Sequence, residues 1–101
     1  MQRGGSIYIL TNKNNSVLYV GVTSQLATRV HDHKSRKDPK AFTAKYNVDK
    51  LVYFESFVRI EEAIIREKQL KSGSREKKIK LIESLNPEWK DLYDSILGDY
   101  W

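Results

Sequence analysis

The sequence predicts one small mixed α/β domain with its elements in the order ββα, β, ααα. Three observations carry this. Two short runs rich in β-branched and aromatic residues flank a turn-type cluster near the start, a third such run occupies residues 50–57, and apolar residues recur at helical spacing through the second half. A length of 101 residues accommodates one modest core and not a second.

Residues 6–12 (SIYILTN) and 17–21 (VLYVG) flank Lys13, Asn14, Asn15 and Ser16, which reads as a β-hairpin. A turn centred on Asn14-Asn15 places Leu10 opposite Tyr19 and Tyr8 opposite Gly21. Tyr8 and Tyr19 then become diagonal neighbours roughly 7–8 Å apart on one face. Ile7, Ile9, Leu18 and Val20 form an apolar layer on the other, so one face is expected to build the core and the other to present phenols. Gly21, at the strand end, leaves room for a ligand or another backbone.

From about residue 24 to 35, Leu26 and Val30 recur at helical spacing behind Thr23 or Ser24 as caps. Residues 36–49 are polar and basic around Phe42 and Tyr46, and read as a functional or partly helical loop before the strand KLVYFESF. Over residues 60–71, Ile60, Ala63, Ile64, Glu67 and Leu70 share one helical face. Gly73 between two serines breaks the chain before a helix over 75–85, where Ile79, Ile82 and Leu85 align. Asn86-Pro87-Glu88 supplies an N-cap, a first-turn proline and a first-turn acid for a last helix carrying Trp89, Leu92 and Tyr93.

Composition narrows the functional classes. There is no cysteine, which excludes thiolate metal sites and cysteine nucleophiles. No apolar run approaches the length of a membrane span, so a cytoplasmic protein without a membrane partner is expected. The formal net charge is +5. Residues 34–50 carry six bases against two acids, and residues 66–80 carry seven against two. Two such blocks suit a surface that follows a phosphate backbone, with a merely solvated surface as the alternative.

Arg29 and His33 are four apart and share the face of the first helix that follows Gly21. A guanidinium is permanently charged and grips a phosphate with a two-pronged fork; the plain alternative is a salt bridge from Arg29 to Asp32 or Glu67. His31 and His33 diverge by about 200° on a helix and cannot share one ion. Glu67 has Ala63, Ile64 and Leu70 as helical neighbours, so its carboxylate faces inward and needs a metal or a cation; pairing with Lys71 is the simpler reading.

Ser6-Ile7-Tyr8 and, after ten intervening residues, Tyr19-Val20-Gly21 resemble the paired motif of the GIY-YIG nuclease domain, and the likeness continues through Arg29, His33, Glu67 and Asn86. Residues 63–92 resemble in particular the small stand-alone, excinuclease-like bacterial members. Ser6 stands where the motif has glycine, Val20 where it has isoleucine, and residues 71–75 (KSGSR) where close relatives carry a tryptophan and basic residues, which bears on DNA contact or on the helix bend.

The resemblance implies an α+β fold, with a three-stranded antiparallel sheet flanked by helices, as a single domain over residues 1–101. It implies a metal-dependent DNA endonuclease, structure-selective or weakly specific, acting on duplex or branched DNA in repair or recombination. Tyr8, Tyr19, Arg29, His33, Glu67 and Asn86 fall on the family's catalytic positions. Glu67 is the implied ligand of a divalent ion, Mg²⁺ first and Mn²⁺ as the alternative. Tyr8 is the preferred general base and Tyr19 its positioning partner, an assignment the sequence leaves exchangeable. Lys34, Arg36, Lys37, Lys45, Lys68, Lys71, Arg75 and Lys78 are the expected nucleic-acid contacts. With no room for an attached DNA-binding domain, specificity is expected to be low or supplied by a partner protein. Two other classes compete: a nucleic-acid-binding module with negligible catalysis on the same fold, and a protein-interaction surface built on Trp89, Tyr93, Tyr100 and Trp101.

Overall fold

In the computed structural model, which describes residues 4–98, β1 (Gly5–Thr11) and β2 (Leu18–Thr23) form the expected antiparallel hairpin. Leu10 pairs with Tyr19 and Tyr8 with Gly21. The register is set by the connecting loop, where the Asn12 side-chain oxygen accepts from the backbone N–H of Ser16 and Val17, and Asn15 adopts φ 58°. β3 (Lys50–Phe57) lies antiparallel on the other side of β1, giving a three-stranded sheet of order β2-β1-β3. A register shift between Ile9 and Leu10 leaves Val52 without a partner on β1.

Helices cover both faces of this sheet. On one side Ile7, Ile9, Val20, Val52 and Tyr53 pack under Ala63 and Leu70 of α3 (Ile60–Ser72) and Ile82 of α4 (Arg75–Leu85). On the other, Tyr8, Leu10 and Leu51 pack under Val30 of α1 (Leu26–Lys34), Val48, and Ile96 of α5 (Tyr93–Gly98). The face expected to present phenols is therefore a second core layer, and Tyr8 is only 2% exposed. Each buried aliphatic chain contributes about 1.5–3 kcal/mol, so a sheet covered on both faces suits a chain this short. No helix among the described residues is long and apolar enough to cross a membrane.

The segment before β3, read as a functional or partly helical loop, contains a four-residue helix, α2 (Phe42–Lys45), which makes the order ββα, α, β, ααα. Three local expectations change. α1 takes no side-chain cap; Gln25 holds the N-cap position and the Thr23 hydroxyl accepts from the Gln25 N–H just ahead of it. Leu85 is 68% exposed, since Ile82 with the partly buried Leu81 forms the packed side of α4. Asn86 does not start the last helix: it ends α4, Trp89 adopts φ 55°, and α5 begins only at Tyr93. The Asn86 amide explains why. Its Nδ2 donates to the carbonyls of Val52 and Lys90, and its Oδ1 accepts from the Lys90 N–H. The bulged strand and the turn after α4 compete for this side chain and win it from the cap.

Asp91 extends the same attachment: it ion-pairs with Lys34 and accepts from the backbone N–H of Leu51 and Tyr93, while the Leu92 N–H donates to Leu51 O. These contacts hold the chain after α4 against β3. Replacing Asn86 by alanine is expected to lower stability by about 2–3 kcal/mol, because two carbonyls lose their donor inside the fold. Urea unfolding with an unchanged m-value checks this.

Candidate active site

Tyr8 sits over the residue that made it legible. A Cβ built on Gly21 would lie 2.3 Å from both Cζ and Oη of Tyr8, so the missing side chain at Gly21 is the space the phenol occupies. The Tyr8 hydroxyl is then 3.1 Å from Nε2 of His33, delivered by the last turn of α1, and His33 Nδ1 is 2.8 Å from the Thr43 hydroxyl of α2. With Nδ1–H donated to Thr43, Nε2 accepts from the Tyr8 O–H. Tyr8, Tyr19 and His33 form a triangle of rings, with centroids 6.4, 5.8 and 5.7 Å apart.

The electrostatics follow from position. Burial first, then the neighbouring Tyr19 and Glu67, pushes the Tyr8 phenol well above its ordinary value, while Arg29 opposes the shift. Burial and the adjacent Arg29 charge lower His33, against a smaller pull from Asp32. At neutral pH the resting pair is thus a neutral phenol hydrogen-bonded to a neutral imidazole.

Beside this pair opens a cleft of about 520 Å³ whose lining includes Tyr19, Arg29, His33, Arg36, Lys37 and Phe42. Arg29 is exposed there and has no ion-pair partner among the described residues: Asp32 is 4.0 Å from Lys37, and Glu67 pairs with Lys71 at 3.3 Å. Glu67, on α3, has a side chain 16% exposed, and its charge reaches Tyr8. Among the described residues no three His, Cys, Asp or Glu side chains cluster as a metal cage. One shielded carboxylate is what fits an ion whose shell is completed by waters and a substrate phosphate, as Mg²⁺ prefers. Glu67 fits that requirement, and the described residues form no closed all-protein site.

The structure brings together Tyr8, Tyr19, Arg29 and His33, with Glu67 in electrostatic reach. Asn86 stands apart, buried with its hydrogen bonds directed to Val52 and Lys90. Several of the basic candidates are engaged within the fold. Lys34 holds Asp91 and donates to Asp49 O; Arg36 Nη2 lies 2.5 Å from Asn47 Oδ1; Lys71 pairs with Glu67. Arg75 donates to Asn15 O at 3.3 Å and Lys78 to Gly73 O at 2.8 Å. Lys37, Lys45 and Lys68 are exposed. Of the aromatic surface considered above, Trp89 bonds Glu83 and Tyr93 lies under Lys34, while Tyr100 and Trp101 fall outside the described residues.

Two contributors were not legible beforehand. Thr43 carries no signal in sequence, because it matters only through its contact with His33. Phe42, stacked on Tyr19 at 6.3 Å, lies in the segment read as functional, yet nothing in its spacing linked it to the hairpin. A third polar group lies on the opposite sheet face: Arg66 clasps Glu55 at 3.0 Å, and Glu55 takes the Tyr53 hydroxyl at 2.5 Å. Burial and the Glu55 carboxylate push Tyr53 up to about 12.

The family model of the GIY-YIG catalytic domain matches residues 4–80, which includes every clustered residue and stops short of Asn86. The chain is 39% identical over 77 residues to a UPF0213 protein of Staphylococcus haemolyticus, covering 76% of this chain and 92% of the relative. It is 40% identical over 78 residues to a UPF0213 protein of Clostridium perfringens, covering 77% and 82%. The solution structure of a UPF0213 protein from Bacillus halodurans superposes with a TM-score of 0.55 at 30% identity, over 87% of this chain and 92% of that one. A catalytic-domain match across most of the chain, with Tyr19, Arg29 and His33 lining one cleft and Tyr8 hydrogen-bonded to His33 behind it, establishes that this protein belongs to the GIY-YIG nuclease family.

Proposed function

We propose that the protein is a divalent-metal-dependent endonuclease that hydrolyses a DNA phosphodiester in the cleft between α1 and α2. The observation that supports this best is the Tyr8–His33–Thr43 line of hydrogen bonds beside Arg29, which has no ion-pair partner among the described residues. Arg29 binds the scissile phosphate and stabilises the charge that grows on its oxygens. A water oxygen forms the new bond to phosphorus as the bond to the leaving sugar oxygen breaks. The water proton passes to Tyr8 Oη while Tyr8 gives its own proton to His33 Nε2. This relay suits a phenol whose pKa is raised: Tyr8 never has to exist as a free anion, and the neutral His33 is the final acceptor. Tyr19 lines the cleft and orients Tyr8 by ring contact. Glu67 is the residue that would hold the ion, and a bound divalent ion supplies positive charge to the phosphate and leaving oxygens. Asn86 acts as a positioning residue that fixes the turn behind β3.

Lys37, Lys45 and Lys68 remain the most available contacts for flanking phosphates, and binding is expected to weaken steeply with salt. Repair or recombination, and a partner protein that selects the site, extend the same reading. The test is cleavage of branched, flapped, nicked, single-stranded and duplex DNAs with Mg²⁺ or Mn²⁺ beside EDTA. Metal-dependent products establish the reaction; binding without product anywhere in the panel assigns the binding module instead.

The lowered His33 pKa sets a sign for pH. The unfolded chain takes up a proton near pH 6.5, while the folded chain holds His33 neutral to lower pH. The unfolded state therefore binds more protons in the window below 6.5, and stability falls as pH drops through it. Urea midpoints at pH 7.5 and 5.5 should differ more for the wild type than for His33→Gln, and cleavage should fall off on the acid side only below pH 6.5.

A further inference from the structure

We propose that Phe42 and Tyr46 form a stacking site for an unpaired nucleobase next to the phosphate held in the cleft. The inference rests on the nuclease reading and names its substrate class: strands with unpaired nucleotides at the cleavage position. Both rings are half in water, 48% and 46% exposed, although they are large and apolar and only 4.8 Å apart. Phe42 continues inward onto Tyr19, with 24° between the ring planes, so the pair is the outer end of an aromatic row that begins at the catalytic cluster.

Placement gives the row a direction. Phe42 lines the cleft that holds Arg29 and His33, and also a shallower depression on the far side of Tyr19 lined by Lys71 and Lys78. A strand with its phosphate at Arg29 and its flank toward Lys71 has to cross Phe42. Lys45 Nζ lies 5.6 Å above the Tyr46 ring, adding a cation where a neighbouring phosphate would run. Thr43, one residue on from Phe42 in α2, is bonded to His33, so a base resting on this helix is in fixed register with the catalytic histidine. In a duplex each base face is covered by its neighbours; only an unpaired base can offer a face to an aromatic platform. Stacking of this kind is tolerant of base identity.

The experiment measures binding in EDTA, so it does not depend on turnover and stands apart from the cleavage test. Fluorescence anisotropy compares a short labelled oligothymidylate, its oligouridylate counterpart and a blunt duplex against wild type, Phe42→Leu and Tyr46→Leu. Leucine keeps apolar volume against Tyr19 and removes the flat face. Each substitution should weaken single-strand binding about ten-fold and leave duplex binding within about two-fold. An abasic residue scanned along the oligothymidylate should weaken wild-type binding at one position and leave the Phe42→Leu protein indifferent there. The deoxy and ribo arms identify which strand the platform serves. Unchanged single-strand affinity, or an equal loss on single strand and duplex, overturns the proposal.

Discussion

Glu67→Gln should abolish metal-dependent cleavage, by about 10³-fold or more, while the protein melts within a few degrees of wild type. The two halves have separate causes. Removing the shielded Glu67 carboxylate, whose charge reaches Tyr8, removes the implied ion's anchor, and an ion's contribution to charge stabilisation is several kcal/mol. The Glu67–Lys71 pair it breaks has Lys71 half-exposed on a helix surface, where such pairs contribute well under 1 kcal/mol. DNA affinity in EDTA should hold or rise slightly, because a negative charge has left a positive surface. Cleavage that survives the substitution would remove Glu67 from the mechanism and with it the reading of a single-carboxylate site.

Gly21→Ala should be the most damaging change that adds a single methyl group. The new Cβ would stand 2.3 Å from Tyr8 Cζ and Oη, and Tyr8 is held by Leu10, Val30 and Leu51 and cannot retreat freely. Overpacking of this kind costs roughly 1–3 kcal/mol, and here it also drives the hydroxyl away from His33, so cleavage should fall by about 10²-fold or more. Backbone conformation plays no part, since no described glycine has a positive φ. A double-mutant cycle isolates the cause: Gly21→Ala should cost little stability in a Tyr8→Ala background, where the contested space is empty. Equal cost in both backgrounds would place the damage elsewhere.

The hairpin and its register were readable because both are local. Side-chain alternation has a period of two, turn residues stand between the strands, and one offset alone places four aliphatic residues on a common face. The placement of Arg29 and His33 on one side of α1 follows from the same kind of local geometry. Less legible was Asn86. Asparagine before proline is a good helix start taken alone, but the bulge at Val52 and the turn at Lys90 offer the amide three hydrogen-bond partners, the Val52 carbonyl buried and the two Lys90 groups partly so, and those outweigh one cap. Leu85 was misplaced because Ile82 with the partly buried Leu81 forms the packed side of α4, which turns Leu85 out to 68% exposure.

Which residue types meet at this site was written along the chain: tyrosines from two paired strands, arginine and histidine one helical turn apart, a carboxylate among apolar neighbours. Their protonation and reach depended on the assembled fold. Tyr8 became a deeply covered phenol only because α1, α5 and Val48 close over the sheet face that the strand pattern alone leaves open. His33 acquired its orientation from Thr43, and Tyr19 its stacked partner from Phe42, on a helix too short for periodicity to reveal. Spacing along a chain encodes contacts within a strand pair or a helix; desolvation and contacts between distant segments exist only once those elements have packed.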